Sequence, residues 1–151
     1  MKMKNIDVLN KTKGCLVGLA CGDYLGMPYE FMLPYRVKAH FRFHRLEPVS
    51  SRLNNTEATG YYTDDTSLAI CLAESLIEKD FDTTDQLRRY RQWLFEGYAT
   101  PDSHRAYGVG QQTLKALTNR HRADLPDDPK AGGNGALMRS APIGLRYFNN
   151  F

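Results

Sequence analysis

The chain has 151 residues, 42% hydrophobic and 25% charged, with a net charge of +3. Those values suit one soluble domain with a real core. No stretch approaches the roughly 20 apolar residues of a membrane helix, which excludes a membrane partner of that kind. The mild basicity suits an anionic ligand without requiring one.

Cys15, Cys21 and Cys71 are odd in number, lie in apolar segments and have no C-x-x-C spacing. Buried, reduced thiols in a cytoplasmic protein are expected. Lys2, Lys4, Lys11 and Lys13 precede the run Gly14–Cys21, a loose mimic of a signal peptide ending at a lipid-modified cysteine. The run is short and glycine-containing, and Gly18 stands where a branched apolar residue belongs, so secretion is rejected.

The first predicted helix runs from Val8 to about Asp23. Gly14, Gly18 and Gly22 recur every fourth position and line one face. Each costs roughly 1 kcal/mol in helix propensity against alanine, a cost that makes sense if a second helix crosses closely there. Gly26, Pro28 and Pro34 then break the chain. Tyr35 to Leu46 interleaves basic and aromatic residues, and His40 and His44 stand four apart. Neither a nucleic-acid fold nor a third zinc ligand accompanies them, so a solvated surface element is expected. Ser50 to Thr59 reads as a loop.

Residues 60–73 carry the strongest local signal. Thr63, Asp64 and Asp65 stand at the mouth of a helix predicted over Asp64–Lys79. Leu68, Ala69, Ile70, Cys71, Leu72, Ala73, Leu76 and Ile77 make it apolar on nearly every side, the pattern of a central helix. Its acidic mouth should open into a cleft. Two readings of that mouth stand side by side. Asp and Thr favour the N-cap and first turn. Adjacent carboxylates also make a hard oxygen site for Mg²⁺ or Mn²⁺.

Thr83, Thr84 and Asp85 open the next helix, with a stripe of Leu87, Tyr90, Leu94 and Tyr98 and with Arg88, Arg89 and Gln92 outside. Gly97 to His104 is a connection, Gly110 to about Arg120 a short helix, and Ala123 to Gly133 a polar loop. A last helix begins near Asn134 and ends or kinks at Pro142. No alternating apolar run marks a strand, so the fold class is all-α.

Three blocks taken together resemble the ADP-ribosylglycohydrolase family, which includes the dinitrogenase-reductase activating enzymes. They are Gly14–Phe31 (GCLVGLACGDYLGMPYEF), Tyr62–Ala69 (YTDDTSLA) and Gly132–Gly144 (GGNGALMRSAPIG). The resemblance implies an orthogonal bundle of helices, two divalent ions at the base of a cleft, and hydrolysis of the bond joining ADP-ribose to a protein side chain or small acceptor. By the same resemblance Thr63, Asp64 and Asp65 match metal ligands, and Glu30 matches an acidic residue on a mobile segment near the site. Asp64, Asp65 and Glu30 are the catalytic candidates; Gly133, Asn134 and Gly135 match the turn that lies against substrate. Backbone N–H groups at that turn can meet a pyrophosphate. An Asp beside the ions can accept the proton of the attacking water.

The family's second ligand group is a late Asp-x-Asp-Thr motif, absent from these 151 residues, roughly half the usual family length. The chain therefore reads as the N-terminal portion of one such domain, incomplete or inactive as it stands. Self-association or a complementing C-terminal half is the expected partner. A catalytically dead ADP-ribose-binding module and a structural protein of the same fold are the alternatives. Asp80-Phe-Asp-Thr83 matches the missing letters. It lies at the far end of the helix that Asp64 begins, about 16 residues or roughly 24 Å away, and is not expected in the site.

Overall fold

The computed structural model describes residues 5–43, 61–119 and 132–148. The all-α expectation holds: α-helices and one 3₁₀ turn account for the regular structure, with no strand among the described residues. No helix among them is long and apolar enough to cross a membrane.

The helix predicted over Asp64–Lys79 forms with those bounds and is central (α3). It packs against α1 (Asn5–Gly26), α4 (Thr83–Glu96) and the C-terminal α7 (Ala141–Tyr147). Leu68, Cys71 and Trp93 are fully buried and, with Leu117 of α5 (Gln111–Thr118), form the core. Leu87, Tyr90 and Leu94, the predicted stripe of α4, pack against it. Ile77 is the exception on α3, 80% exposed.

α4 opens at Thr83 as expected, and its cap is the preceding Asp82, which accepts from the N–H groups of Thr84 (2.8 Å) and Asp85 (3.1 Å). That frees Asp85 to turn inward. Arg89, expected on the outer face, is only 5% exposed. It donates to Asp85 (2.7 Å) and reaches across to Glu74 (3.0 Å) and Glu78 (2.6 Å) of α3. The burial of the guanidinium is offset by three carboxylates, which tie α4 to α3. Left-handed Gly97 ends α4.

Further differences have physical reasons. Pro142 lies in the first turn of α7, where its missing N–H costs nothing, so it begins a helix instead of ending one. The break falls at Arg139–Ser140, after the single turn α6 (Gly135–Met138). Pro34 likewise opens α2 (Pro34–Phe43), inside a stretch expected to be irregular. Among the described residues nothing lies within 4 Å of a Cβ built at Gly14, Gly18 or Gly22. Among the described residues no helix makes the expected close approach there; Gly18 and Gly22 border a cleft. On the same helix Cys15 and Cys21 are exposed, so of the three free thiols only Cys71 meets the expectation of burial. The His40–His44 pair, the 50–59 loop and most of the 123–133 loop lie outside what is described.

Candidate functional site

The mouth of α3 is capped from a distance. Thr63 occupies the N-cap position but its side chain makes no capping bond. The carboxylate of Asp23, 40 residues upstream on α1, does the work instead. Its Oδ2 accepts from the N–H of Thr63 (2.8 Å), the N–H of Thr66 (3.1 Å) and the hydroxyl of Thr66 (2.6 Å). Its Oδ1 accepts from the hydroxyl of Thr63 (2.6 Å). Orphan N–H groups and the positive end of the helix dipole are thereby met by a negative charge. Asp64 and Asp65 are not needed as caps.

Asp64 is buried at 7% exposure and Asp65 is half-buried. Over them folds the loop before α5. Gly108 stands at φ +69°, and a Cβ there would meet Asp64 Oδ1 at 2.8 Å and Thr63 Cβ at 2.9 Å. Only glycine has both the backbone freedom and the absent side chain for this approach. Two residues on, the Gly110 backbone lies where it favours the ionised Asp64 carboxylate.

The Gly133–Gly135 turn is held against α5. A Cβ at Gly135 would lie 2.7 Å from Thr113 Oγ1. Arg139 donates through Nε to the Gly135 carbonyl and through Nη2 to Thr113 Oγ1 (3.2 Å), with its guanidinium 4.9 Å above the Tyr90 ring. One side chain thus links the turn to α5 and α4. Among the described residues no acceptor takes the N–H groups of Gly133, Asn134 or Gly135.

These pieces enclose a cleft of about 750 Å³. Glu30, Thr63, Asp64 and Asp65 line it, as do Gly133, Asn134 and Gly135. Each of the candidate site residues, Glu30, Thr63–Asp65 and Gly133–Gly135, therefore borders one cavity. Asp80 and Asp82 do not; Asp80 bonds to the Tyr147 hydroxyl (2.7 Å), and Asp82 is the cap of α4.

The electrostatics of the cleft are strained. Burial, and then Asp65, push the Asp64 carboxyl up to about 7. Burial and then Asp23 raise Asp65; burial, then Asp65 and Asp23, raise Glu30. Negative charge converges with too little positive charge to balance it. Thr63, Asp64 and Asp65 offer hard oxygen donors, the chemistry that suits Mg²⁺ or Mn²⁺. Among the described residues no three Asp, Glu, His or Cys side chains converge on one point, so these donors fit one side of a coordination shell.

Asp23, Gly108, Gly110 and Thr113 were missed in the sequence. Asp23 sits in the first of the three blocks, and Gly108-Val-Gly110 is a glycine pair before a helix. Neither signal says that those residues reach the mouth of α3, because both contacts are made across the fold.

Among the described residues the fold is helical, and it brings a carboxylate-rich helix mouth and a glycine-rich turn to one cleft. The ADP-ribosylglycohydrolase family model matches residues 4–150, and the chain belongs to that family. It is 36% identical over 148 residues to the ADP-ribosylarginine hydrolase Tri1 of Serratia proteamaculans (strain 568), covering 91% of this chain and 37% of that protein. It is also 36% identical over 151 residues to the ADP-ribosylhydrolase ARH3 of Homo sapiens, covering 92% and 40%. An uncharacterized protein of Archaeoglobus fulgidus is 34% identical over 144 residues, covering 91% and 43%. The chain spans about two-fifths of the length of these curated relatives.

Proposed function

We propose that this cleft binds ADP-ribose conjugates and serves in hydrolysis of the bond between ADP-ribose and its acceptor, with a divalent ion. The observation that carries the reading is the meeting of the Thr63–Asp65 mouth and the Gly133–Gly135 turn at one cavity. The N–H groups of the turn suit the pyrophosphate. Since α6 is a single turn, these groups act as individual donors and the helix dipole adds little.

Thr63, Asp64 and Asp65 would hold Mg²⁺ or Mn²⁺ through oxygen. When bound, such an ion supplies Lewis-acid polarisation of oxygen and a template for the ribose hydroxyls. Around it, Asp65, half-buried and open to the cleft, accepts the proton of the attacking water as an oxocarbenium-like state develops at the anomeric carbon. Asp64 lies under the Gly108 loop, which holds it at the mouth. Glu30 borders the same cavity from the 27–33 segment, where its raised carboxyl can take or return a proton. The acceptor is an ADP-ribosylated side chain or a small conjugate.

The test combines binding and turnover. ADP-ribose titrated calorimetrically into the chain with Mn²⁺ should bind. Asn134→Ala with Gly135→Val should weaken binding at least tenfold. Asp65→Asn should leave binding within a few-fold while release of ADP-ribose from a modified protein falls by roughly 10²-fold or more, the range for loss of a proton acceptor. No ADP-ribose binding by the chain would overturn the reading. Binding without release in the unaltered chain would reduce it to a binding module.

A further inference from the structure

Thr63 is the one neutral residue of the acidic mouth, and its usefulness as a ligand depends on where its proton points. A hydroxyl has one proton and two lone pairs; a carboxylate only accepts. Thr63 Oγ1 lies 2.6 Å from Asp23 Oδ1, so Thr63 donates and Asp23 receives. With its proton committed to α1, the oxygen of Thr63 keeps only lone pairs for any further partner, and both residues line the cleft.

We infer that Asp23 is a positioning residue that fixes the Thr63 hydroxyl as an acceptor-only oxygen toward a divalent cation. This rests on the metal-assisted reading above. Asp23 acts through Thr63: its Oδ2 is occupied by three donors and its Oδ1 holds the Thr63 hydroxyl. The division of labour between those oxygens makes the idea separable from simple capping. Oδ2 serves two backbone N–H groups and the Thr66 hydroxyl, while Oδ1 serves only the Thr63 hydroxyl.

Asp23→Asn exploits that difference. The two N–H groups can only donate, so the amide must place its oxygen at the Oδ2 position. Its NH₂ then takes the Oδ1 position and donates to Thr63 Oγ1. The cap survives and the Thr63 bond is reversed. The Thr63 proton is released to point elsewhere, and one lone pair is lost to the amide. Thr66→Val does the opposite, removing a capping bond and leaving the Thr63–Asp23 bond alone.

Mn²⁺ alone, titrated calorimetrically into the 151-residue chain and its variants, is the probe, with thermal denaturation of the metal-free proteins alongside. Asp23→Asn should weaken Mn²⁺ binding roughly tenfold or more, the usual scale for groups that orient a ligand, while its Tm stays near that of the unaltered chain. Thr66→Val should lower Tm and leave Mn²⁺ affinity in place. Asp23→Asn in a Thr63→Val background should add no further loss. Equal Mn²⁺ affinity in Asp23→Asn overturns the inference, as does an equal loss in Thr66→Val, which would make any loosening of the cap sufficient. A double variant weakened by the product of both single effects would also overturn it. If the unaltered chain does not bind Mn²⁺, the metal reading itself fails and the inference falls with it.

Discussion

A methyl group at residue 108 would sit 2.8 Å from Asp64 Oδ1, on a backbone at φ +69° where L side chains are strained. Gly108→Ala must therefore either move the loop off the mouth of α3 or rotate the Asp64 carboxylate. The strain alone costs on the order of 1–2 kcal/mol. Because the Gly110 backbone that favours the ionised Asp64 is carried by the same loop, that support should go as well. The expected outcome is a Tm lowered by roughly 4–8 °C for about 2 kcal/mol in a chain of this size, together with weaker Mn²⁺ binding. An unchanged Tm, measured by circular dichroism, would show that the loop yields without cost. At this scale the sequence was only partly legible. Thr63, Asp64, Asp65 and Glu30 stood out because carboxylates at a helix mouth or loop are locally conspicuous. Asp23 and Gly108 were silent because their partners lie 40 and about 45 residues away.

Between elements, the joint that holds α3 to α4 is the Arg89 cluster. Local reading placed Arg89 outside because it neighbours Arg88 and follows no apolar stripe. Its burial is decided by Glu74 and Glu78 on another helix, which periodicity along α4 cannot show. By contrast α3, expected from about Asp64 to Lys79, was legible, since its start and its apolar surround are both local signals. Pro142 was misread because a proline ends one helix or begins another with equal local plausibility. Hydrogen bonds from Arg89 and then Arg88 hold the Asp85 carboxyl below the usual carboxylate range. The sign follows from proton counting. A carboxyl depressed in the folded chain binds its proton more readily when unfolded, so its contribution is complete above the unfolded value near ~4 and is lost as pH falls toward the folded one. Stability should therefore decline on acidification below about pH 4, and Asp85→Asn should flatten that decline. Arg89→Met should cost about 3 kcal/mol, chiefly through the carboxylates left facing one another. Urea unfolding at pH 7 and pH 3 separates the two: Asp85→Asn narrows the gap between the pH values, whereas Arg89→Met lowers stability most at pH 7.

Across the whole molecule, the cleft is assembled from four stretches of chain: the 23–30 end of α1 with its following turn, the mouth of α3, the loop before α5, and the 133–135 turn. The core beneath is small, centred on Leu68, Cys71, Trp93 and Leu117, while Leu9, Val17, Phe31 and Leu137 are each more than half exposed. A ligand that touches all four stretches therefore bridges parts of the fold that the core alone joins weakly. Carboxylates pushed upward by burial and by one another add to this, because their repulsion is present until a cation offsets it. Linkage sets the size of the effect: a ligand at 100 times its Kd stabilises by about 2.7 kcal/mol, or roughly 5–11 °C in Tm for a chain of this length. Mn²⁺ and ADP-ribose together should raise Tm by more than either alone, since on the proposed reading the cation would relieve the carboxylate charge and the pyrophosphate would engage the N–H groups of the turn. Asn134→Ala with Gly135→Val should remove the ADP-ribose increment and keep that of Mn²⁺, whereas Asp64→Asn should shrink the Mn²⁺ increment first. Differential scanning fluorimetry at fixed pH and ionic strength reads all of these. Increments that are the same in every variant would mean that the ligands stabilise the chain from somewhere other than this cleft.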